Sequence, residues 1–174
     1  MRTIKRRVAT ALFIALAICS CSGEKKQSES TAQESKSEVV EQKVVEENKG
    51  TNFQDITLQE AIEKAKSEGK LVFIECHTNS CGPCRMMKKN IFPQSKIGEY
   101  MNEHFVAIMR NMEEGEGLTI AKKYGVAIYP TYLIVDTEGN CVGQIIGADK
   151  DVDSFLNKIK EAETAAKEAI ANKK

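Results

Sequence analysis

Two cysteines stand three positions apart in the segment Cys81-Gly82-Pro83-Cys84. Thiols at this spacing can alternate between a dithiol and a disulfide, or they can share a metal ion. In thiol–disulfide exchange the thiolate is the attacking group, so the reaction needs a position that favours the deprotonated sulfur. The elements on either side of the two cysteines therefore decide which chemistry the pair can do.

The pair follows a predicted buried strand and opens a predicted helix. Residues 71–74 form a continuous apolar run, which indicates a strand covered on both faces, and residues 80–90 are expected to form a helix that Pro93 interrupts. The free N–H groups and partial positive charge of a helix N-terminus stabilise a thiolate. We therefore predict that Cys81 is the exposed nucleophile and that Cys84, one turn further on, resolves the mixed disulfide.

The tetrapeptide resembles the active site of the thioredoxin family, and the resemblance extends over residues 53–160. Glu75, six residues before Cys81, stands where that family carries a buried acid that handles the proton of the resolving cysteine. The resemblance implies a protein-disulfide oxidoreductase in which Cys81 and Cys84 form the redox-active disulfide and Glu75 assists catalysis.

A second part of the resemblance lies in residues 124–131, which read Tyr-Gly-Val-Ala-Ile-Tyr-Pro-Thr. They are similar to the family segment that ends in a cis-proline, which implies that Pro130 lies against the disulfide. Val142-Gly143, followed by Gly147, resembles the last strand of the family and its glycine bend. The substrate groove implied by these matches is formed by Gly82, Pro83, Tyr129, Pro130 and Thr131.

Two positions depart from the family pattern. Ser80 replaces the tryptophan that usually precedes the first cysteine, and Ile108 aligns with a lysine near the buried acid. Arg110 is the candidate to supply the missing positive charge. These departures leave open a second function on the same fold, that of a non-catalytic binding or assembly module of the cell envelope.

The cysteines also allow structural roles. Cys81 and Cys84 could form a structural disulfide, or they could bind zinc together with Cys76 and His77. The spacing lacks a second C-x-x-C or an H-x-x-x-H pair, so we expect no metal. Cys76 is predicted to be a small core residue, and Cys141 a core or strand-edge residue. No organic cofactor is expected, because the cysteines themselves carry the electrons.

The rest of the pattern predicts an α/β thioredoxin fold, a mixed central sheet flanked by helices, in the order β-α-β-α-β-α-β-β-α. A capping box of Thr57 and Glu60 starts the first helix, and Gly69 ends it. A loop that holds Gly115 and Gly117 is expected before a later helix. Strands are predicted at residues 53–56, 71–74, 105–109, 131–135 and 141–146.

The N-terminus has the features of an export signal. Four basic residues among the first seven precede an apolar run at 8–18, which is too short to span a bilayer. Ile18-Cys19-Ser20-Cys21 resembles a bacterial lipobox, so lipid is expected on Cys21, and ordinary cleavage at Ala15-x-Ala17 is the alternative. The predicted organisation is a lipoprotein signal peptide at 1–20, a disordered charged tether at 21–50 and a thioredoxin-like domain at 51–174.

Charge patterning argues against one class of partner. Outside residues 1–20 the chain has 21 basic and 25 acidic side chains, so we expect no nucleic-acid partner. The expected protein is an exported monomer, held at a bacterial membrane by its lipid, with the domain facing the periplasm or the exterior. Its expected partners are envelope proteins with cysteines or disulfides and an electron donor in the membrane, so that it acts as a reductase or an isomerase.

Overall fold

The structure is a computed structural model that describes residues 50–173. The predicted signal peptide, the predicted lipid site at Cys21 and the predicted tether up to residue 49 lie outside the described residues and stay predictions. Within residues 50–173, no helix is long and apolar enough to cross a membrane.

Within this range the chain forms five helices and four strands. In chain order they are α1 (Leu58–Glu68), β1 (Leu71–His77), α2 (Gly82–Asn90), α3 (Ser95–His104), β2 (Phe105–Asn111), α4 (Gly115–Tyr124), β3 (Thr131–Val135), β4 (Cys141–Ile146) and α5 (Val152–Ala171). The strand order in the sheet is β2-β1-β3-β4. β1 runs parallel to β2 and antiparallel to β3, and β3 runs antiparallel to β4. The predicted mixed sheet flanked by helices is confirmed.

The sheet separates two apolar cores. Helices α1 and α4 cover the core that contains Ile74 and Cys76 of β1. Helices α2, α3 and α5 cover the opposite core, which contains Phe73 of β1 and Tyr132 of β3. Because successive side chains of a strand point to opposite faces, Glu75 lies on the same face as Phe73. An ionisable residue is thereby placed under α2.

Local signals set the ends of two helices as predicted. The Thr57 hydroxyl accepts the N–H of Glu60, and the Glu60 carboxylate accepts the N–H of Thr57, which completes the capping box of α1. Gly69 ends α1 with φ 67°, and Gly125 ends α4 with φ 66°. Both values lie in the left-handed region, which glycine enters without a steric penalty.

The strand predicted at residues 53–56 is wrong. Phe53 makes a single parallel bridge to Ala107, at the edge of the sheet. The carbonyl of Ile56 accepts a hydrogen bond from the Arg110 side chain instead of from a neighbouring strand. The chain therefore leaves the sheet at once and enters α1.

The loop predicted around Gly115 and Gly117 is also wrong, because α4 begins at Gly115. A Cβ atom on Gly117 would lie 1.8 Å from the carbonyl oxygen of Asn111. Glycine at this position permits a close approach between α4 and the end of β2. In this segment glycine marks tight packing and not a chain break.

A buried carboxylate joins α5 to α3. Glu163 of α5 accepts hydrogen bonds from Tyr100 and His104 of α3 and from Lys167 of its own helix. Burial opposes ionisation of Glu163, but the bonds from Lys167, Tyr100 and His104 outweigh it and hold the pKa of this carboxyl below its usual value. The ionised carboxylate therefore stabilises the contact between the two helices.

We predict that Glu163→Gln lowers the free energy of unfolding by about 2 kcal/mol near neutral pH, the size of a hydrogen bond to a charged group. Because the pKa of Glu163 is lower in the folded than in the unfolded state, this stabilisation is present above the unfolded pKa. It is lost as the pH falls through the folded pKa. Urea unfolding across a pH series measures it.

Glu138→Gln is the control, because Glu138 forms an exposed ion pair with Lys66 at 3.6 Å. Exposed pairs contribute roughly 0–1 kcal/mol, so this variant should unfold close to wild type at every pH. A difference between wild type and Glu163→Gln that grows in acid would contradict the assigned direction of the pKa shift.

Candidate active site

The redox pair is built into the first turn of α2. Cys81 and Cys84 form a disulfide, with their Cα atoms 5.3 Å apart. Cys81 is the N-cap residue of α2, and its sulfur accepts the backbone N–H of Cys84 at 3.1 Å. Gly82 and Pro83 are the first two helical residues, and both are exposed. One of the free N–H groups of the helix terminus thus points at the predicted nucleophile.

The prediction that Cys81 is exposed is wrong for the disulfide form. Cys81 is 8% exposed and Cys84 4%, so both cysteines are buried in this state. Their immediate neighbours Ser80, Gly82 and Pro83 are exposed. The residues that flank Cys81 along the chain are therefore small and open to solvent.

The loop between β1 and α2 is held by hydrogen bonds to its backbone carbonyls. β1 continues three residues beyond the predicted apolar run and ends at His77. The N–H of Cys81 donates to the carbonyl of Thr78 at 3.2 Å, and the Arg85 guanidinium donates to the carbonyl of Asn79 at 2.9 Å. These bonds fix the N-cap position relative to the end of the strand.

Cys84 is buried on the same face of α2 as Met87, three residues further on. One turn further along α2, Met87 is fully buried in the same core as Phe73. Phe92, just beyond the helix, contacts the Phe73 ring with centroids 6.5 Å apart. Because α2 starts beside the end of β1 and returns along it, the turn before Met87 lies over the residues that follow Phe73. The structure thus places Cys84 and Glu75 at the same end of the same layer.

Glu75 is completely buried, as its predicted role requires. Its Oε2 atom lies 2.7 Å from Nδ1 of His77, whose side chain is 17% exposed. Its Oε1 atom is buried without a hydrogen-bond partner among the described residues. The sequence analysis did not identify His77 as the partner of Glu75. Residues two positions apart on one strand share a face, so this spacing could have predicted the pair.

Arg110 does not replace the lysine of the family. Its Nε atom forms an ion pair with Glu116 at 3.0 Å, and its guanidinium bonds to the carbonyls of Met109 and Ile56. Ile108 is fully buried in the core under α1, on the face opposite Glu75. Alternation along β2 places Arg110 on that same opposite face, so the prediction for Arg110 is wrong.

Tyr132 of β3 is the register partner of Glu75 across the sheet. Its hydroxyl is buried and has no hydrogen-bond partner among the described residues. Burial raises the pKa of Tyr132, and the charges of Glu75 and Asp149 raise it further. This phenol therefore stays protonated and contributes no charge beside Glu75.

The Tyr129–Pro130 peptide bond is cis, as the sequence resemblance implied. Pro130 is buried, and its carbonyl accepts the N–H of Gly147 at 2.9 Å. Thr131, the next residue, is the register partner of Cys76 near the end of β1. The cis-proline thus lies at the end of the sheet from which the cysteine loop departs.

Two exposed apolar side chains flank this turn. Ile128 is 59% exposed, and its carbonyl accepts the hydroxyl of Thr131 at 2.7 Å. Ile146, the register partner of Thr131 on β4, is 56% exposed. An apolar surface therefore adjoins Tyr129, Pro130 and Thr131, the residues predicted to form the substrate groove.

The alternative zinc site is not assembled. Cys76 and His77 are consecutive on β1 and point to opposite faces, so they cannot join the two cysteines of α2 around one ion. Burial raises the pKa of the Cys76 thiol, which makes it a poor ligand and a poor nucleophile. Across residues 50–173, no three His, Cys, Asp or Glu side chains are grouped to hold a metal. Cys141 is a free, exposed thiol on the edge strand β4.

Solved structures share this architecture. The solution structure of a proposed disulphide-isomerase from Bacteroides thetaiotaomicron is 40% identical and superposes with a TM-score of 0.58. The match covers 64% of this chain and 92% of that protein. The α/β thioredoxin fold predicted from the sequence is thereby confirmed.

Curated sequences match over shorter stretches. A thioredoxin H-type of Oryza sativa subsp. indica is 33% identical over 88 residues, which are 51% of this chain and 66% of that protein. Spermatogenesis-associated protein 20 of Rattus norvegicus is 41% identical over 56 residues, which are 32% of this chain and 7% of that protein. The model of the thioredoxin-like domain family matches residues 58–163. Because that match spans more than half of the 174 residues, this chain belongs to the thioredoxin-like domain family.

Proposed function

We propose that this protein is a thiol:disulfide oxidoreductase that exchanges the Cys81–Cys84 dithiol and disulfide with client proteins. The observation that carries the proposal is the closed disulfide at the N-terminus of α2, with the Cys81 sulfur bonded to the N–H of Cys84. The N–H group that donates to the Cys81 sulfur in the disulfide also stabilises the Cys81 thiolate that forms on reduction. This position therefore favours reversible reduction and oxidation of the Cys81–Cys84 disulfide.

In the reducing direction, the Cys81 thiolate attacks one sulfur of a client disulfide. A mixed disulfide forms, and the first client sulfur leaves as a thiolate that takes a proton from water. The Cys84 thiol then loses its proton, and its sulfur attacks the Cys81 sulfur, which releases the second client thiolate. Two electrons pass to the client, and the chain is left with the Cys81–Cys84 disulfide.

Glu75 is the proposed acceptor of the proton that Cys84 loses. The carboxylate lies in the layer under α2, and its Oε1 atom is not occupied by a hydrogen bond within the described residues. Gly82, Pro83, Tyr129, Pro130 and Thr131 form the proposed groove for the client chain. The exposed side chains of Ile128 and Ile146 extend this groove with apolar contact area.

We assign the reaction to the outside of the cytoplasm. The protein is held at a membrane there by lipid on Cys21. The apolar run at 8–18 and the lipobox-like Ile18-Cys19-Ser20-Cys21 support this assignment. The clients are envelope proteins with cysteines or disulfides. Because that compartment oxidises free thiols, a reductase or isomerase there needs an electron donor in the membrane. The name of the Bacteroides thetaiotaomicron relative, a proposed disulphide-isomerase, supports the isomerase form of this proposal.

The first prediction separates the roles of the two cysteines. Cys81→Ser should lose reduction of insulin by dithiothreitol by roughly 100-fold or more, because Cys81 is the N-cap residue of α2 and its sulfur accepts a helix-terminal N–H. Cys84→Ser should accumulate mixed disulfides with envelope proteins, since attack proceeds but resolution does not. Cys141→Ser is the matched control and should retain activity. Full activity of Cys81→Ser would contradict the assignment of Cys81 as the nucleophile, whereas an inactive wild-type protein would leave the non-catalytic binding module as the better function.

The second prediction concerns direction. Gly82-Pro83 is the dipeptide of thioredoxin, and no histidine between the cysteines adds positive charge to the thiolate. We expect the reduction potential to lie nearer to about −270 mV, the value of thioredoxin, than to about −120 mV, the value of the oxidant DsbA. Equilibration in glutathione buffers measures it. A potential more oxidising than about −180 mV would reverse the assigned direction.

The third prediction concerns the anchor. Each buried methylene of an acyl chain adds about 0.8 kcal/mol to membrane binding, so a multiply acylated Cys21 holds the protein firmly. Cys21→Ala should move the protein from the membrane to the soluble fraction with insulin reduction unchanged. Cys19→Ala is the control and should stay with the membrane. A mature N-terminus at Ile18 without lipid, seen by mass spectrometry, would contradict the anchor.

A further inference from the structure

Glu75 depends on one neighbour. Its carboxylate is completely buried, and within residues 50–173 its single hydrogen-bond partner is Nδ1 of His77, at 2.7 Å. A buried carboxylate that lacks several donors is costly to keep ionised, because burial removes its hydration. Among the described residues, the hydrogen bond to His77 is therefore the contact that orients the Glu75 carboxylate and stabilises its charge.

His77 also occupies the boundary between this carboxylate and solvent. It is the last residue of β1, and its side chain is 17% exposed whereas that of Glu75 is 1% exposed. The loop that follows carries the cysteines, so His77 lies at the end of β1 from which the active-site loop departs. A proton on Glu75 can reach water through the imidazole without crossing the apolar core.

The other elements around the pair offer no substitute. Tyr132 of β3 and Met109 of β2 are the register partners of Glu75, and Asn111 of β2 is that of His77. Cys84 is buried on α2 above this layer, and the charge of Asp149 acts on Tyr132. The phenol stays protonated, and the β2 residues do not titrate. Arg110, the charged residue between those two on β2, points to the opposite face, where it pairs with Glu116.

We propose that His77 is the positioning residue of the resolving step, orienting the Glu75 carboxylate and carrying to solvent the proton that Glu75 takes from Cys84. This inference rests on the proposed exchange function, and His77 lies outside the Cys81–Cys84 motif on which that function is proposed. The bond to Oε2 leaves Oε1, the oxygen without a partner, to receive the proton of the Cys84 thiol. The protonated carboxyl then turns its O–H toward Nδ1 of the neutral imidazole, which accepts this proton while Nε2 gives its own proton to water, so the carboxylate is regenerated and no electron is moved in this transfer.

The test follows a single turnover of the full chain. Reduced protein is mixed with a synthetic peptide closed by one disulfide, quenched in acid at set times and separated by mass. The appearance of the mixed disulfide reports attack by Cys81, and its disappearance reports resolution by Cys84. If wild type forms no mixed disulfide, the proposed function itself fails, and that failure is distinct from failure of the role of His77.

His77→Gln retains a side-chain amide that can hydrogen-bond to Glu75 but cannot relay a proton. We expect unchanged attack and resolution slowed by roughly tenfold or more, the scale of a lost proton transfer. The dependence of the resolution rate on pH should be weaker in the variant than in wild type, because an imidazole can take up and release a proton whereas a glutamine side chain cannot. Resolution at the wild-type rate and with the wild-type pH profile would overturn the proposal, as would equal slowing of both steps.

His104→Gln is the matched control, because His104 is the second of the two histidines and also bonds a buried carboxylate, Glu163, at 2.9 Å. It should leave both steps and the pH profile unchanged. If His77→Gln does not fold by circular dichroism, His77→Ala with added imidazole replaces it. Acceleration of resolution by imidazole supports the proposal, and resolution that stays slow at saturating imidazole overturns it.

Discussion

The site depends on the junction between β1 and α2. β1 is an inner strand covered by helices on both faces, so its end cannot move without disturbing two cores. That rigid end places Cys81 at the N-cap of α2, where its sulfur accepts the N–H of Cys84. The same strand carries Glu75 into the layer below the helix. One buried element therefore fixes the nucleophile, the resolving thiol and the acid at once.

Burying Glu75 runs against stability, and the surrounding structure limits the cost only in part. A buried carboxylate ordinarily gathers several donors, because an unmatched charge in an apolar layer is strongly unfavourable. The neighbouring side chains Phe73, Tyr132 and Met87 are apolar or uncharged and offer no positive charge. The burial of Glu75 is therefore better explained by a role in proton transfer than by a contribution to folding stability. The contrast with Cys76, an inert core thiol one position along, shows how alternation separates reactive from structural groups on one strand.

Local signals allowed most of the fold to be predicted, whereas non-local contacts account for the errors. The capping box at Thr57 and the glycine at 69 act within one turn, so residue types alone revealed them. Gly117 looked like a loop residue because its reason for being glycine is the carbonyl of Asn111, an approach set by tertiary packing. Arg110 was assigned to the acid on charge alone, but the register of β2 turns it to Glu116. The cysteines were identified from sequence because their chemistry is carried by a four-residue motif.

Residues 50–173 contain two histidine–glutamate pairs, and their surroundings separate their roles. Glu163 receives donors from Tyr100, His104 and Lys167, which hold its pKa down and leave the carboxylate no reason to take up a proton. In the described part of the chain Glu75 has one hydrogen-bond partner, His77, and one oxygen without a partner. A fully bonded carboxylate is a fixed charge that joins helices, whereas a half-bonded one beside a thiol can change its protonation during a reaction. The number of donors around a buried acid thus distinguishes a structural from a chemical role within a single small domain.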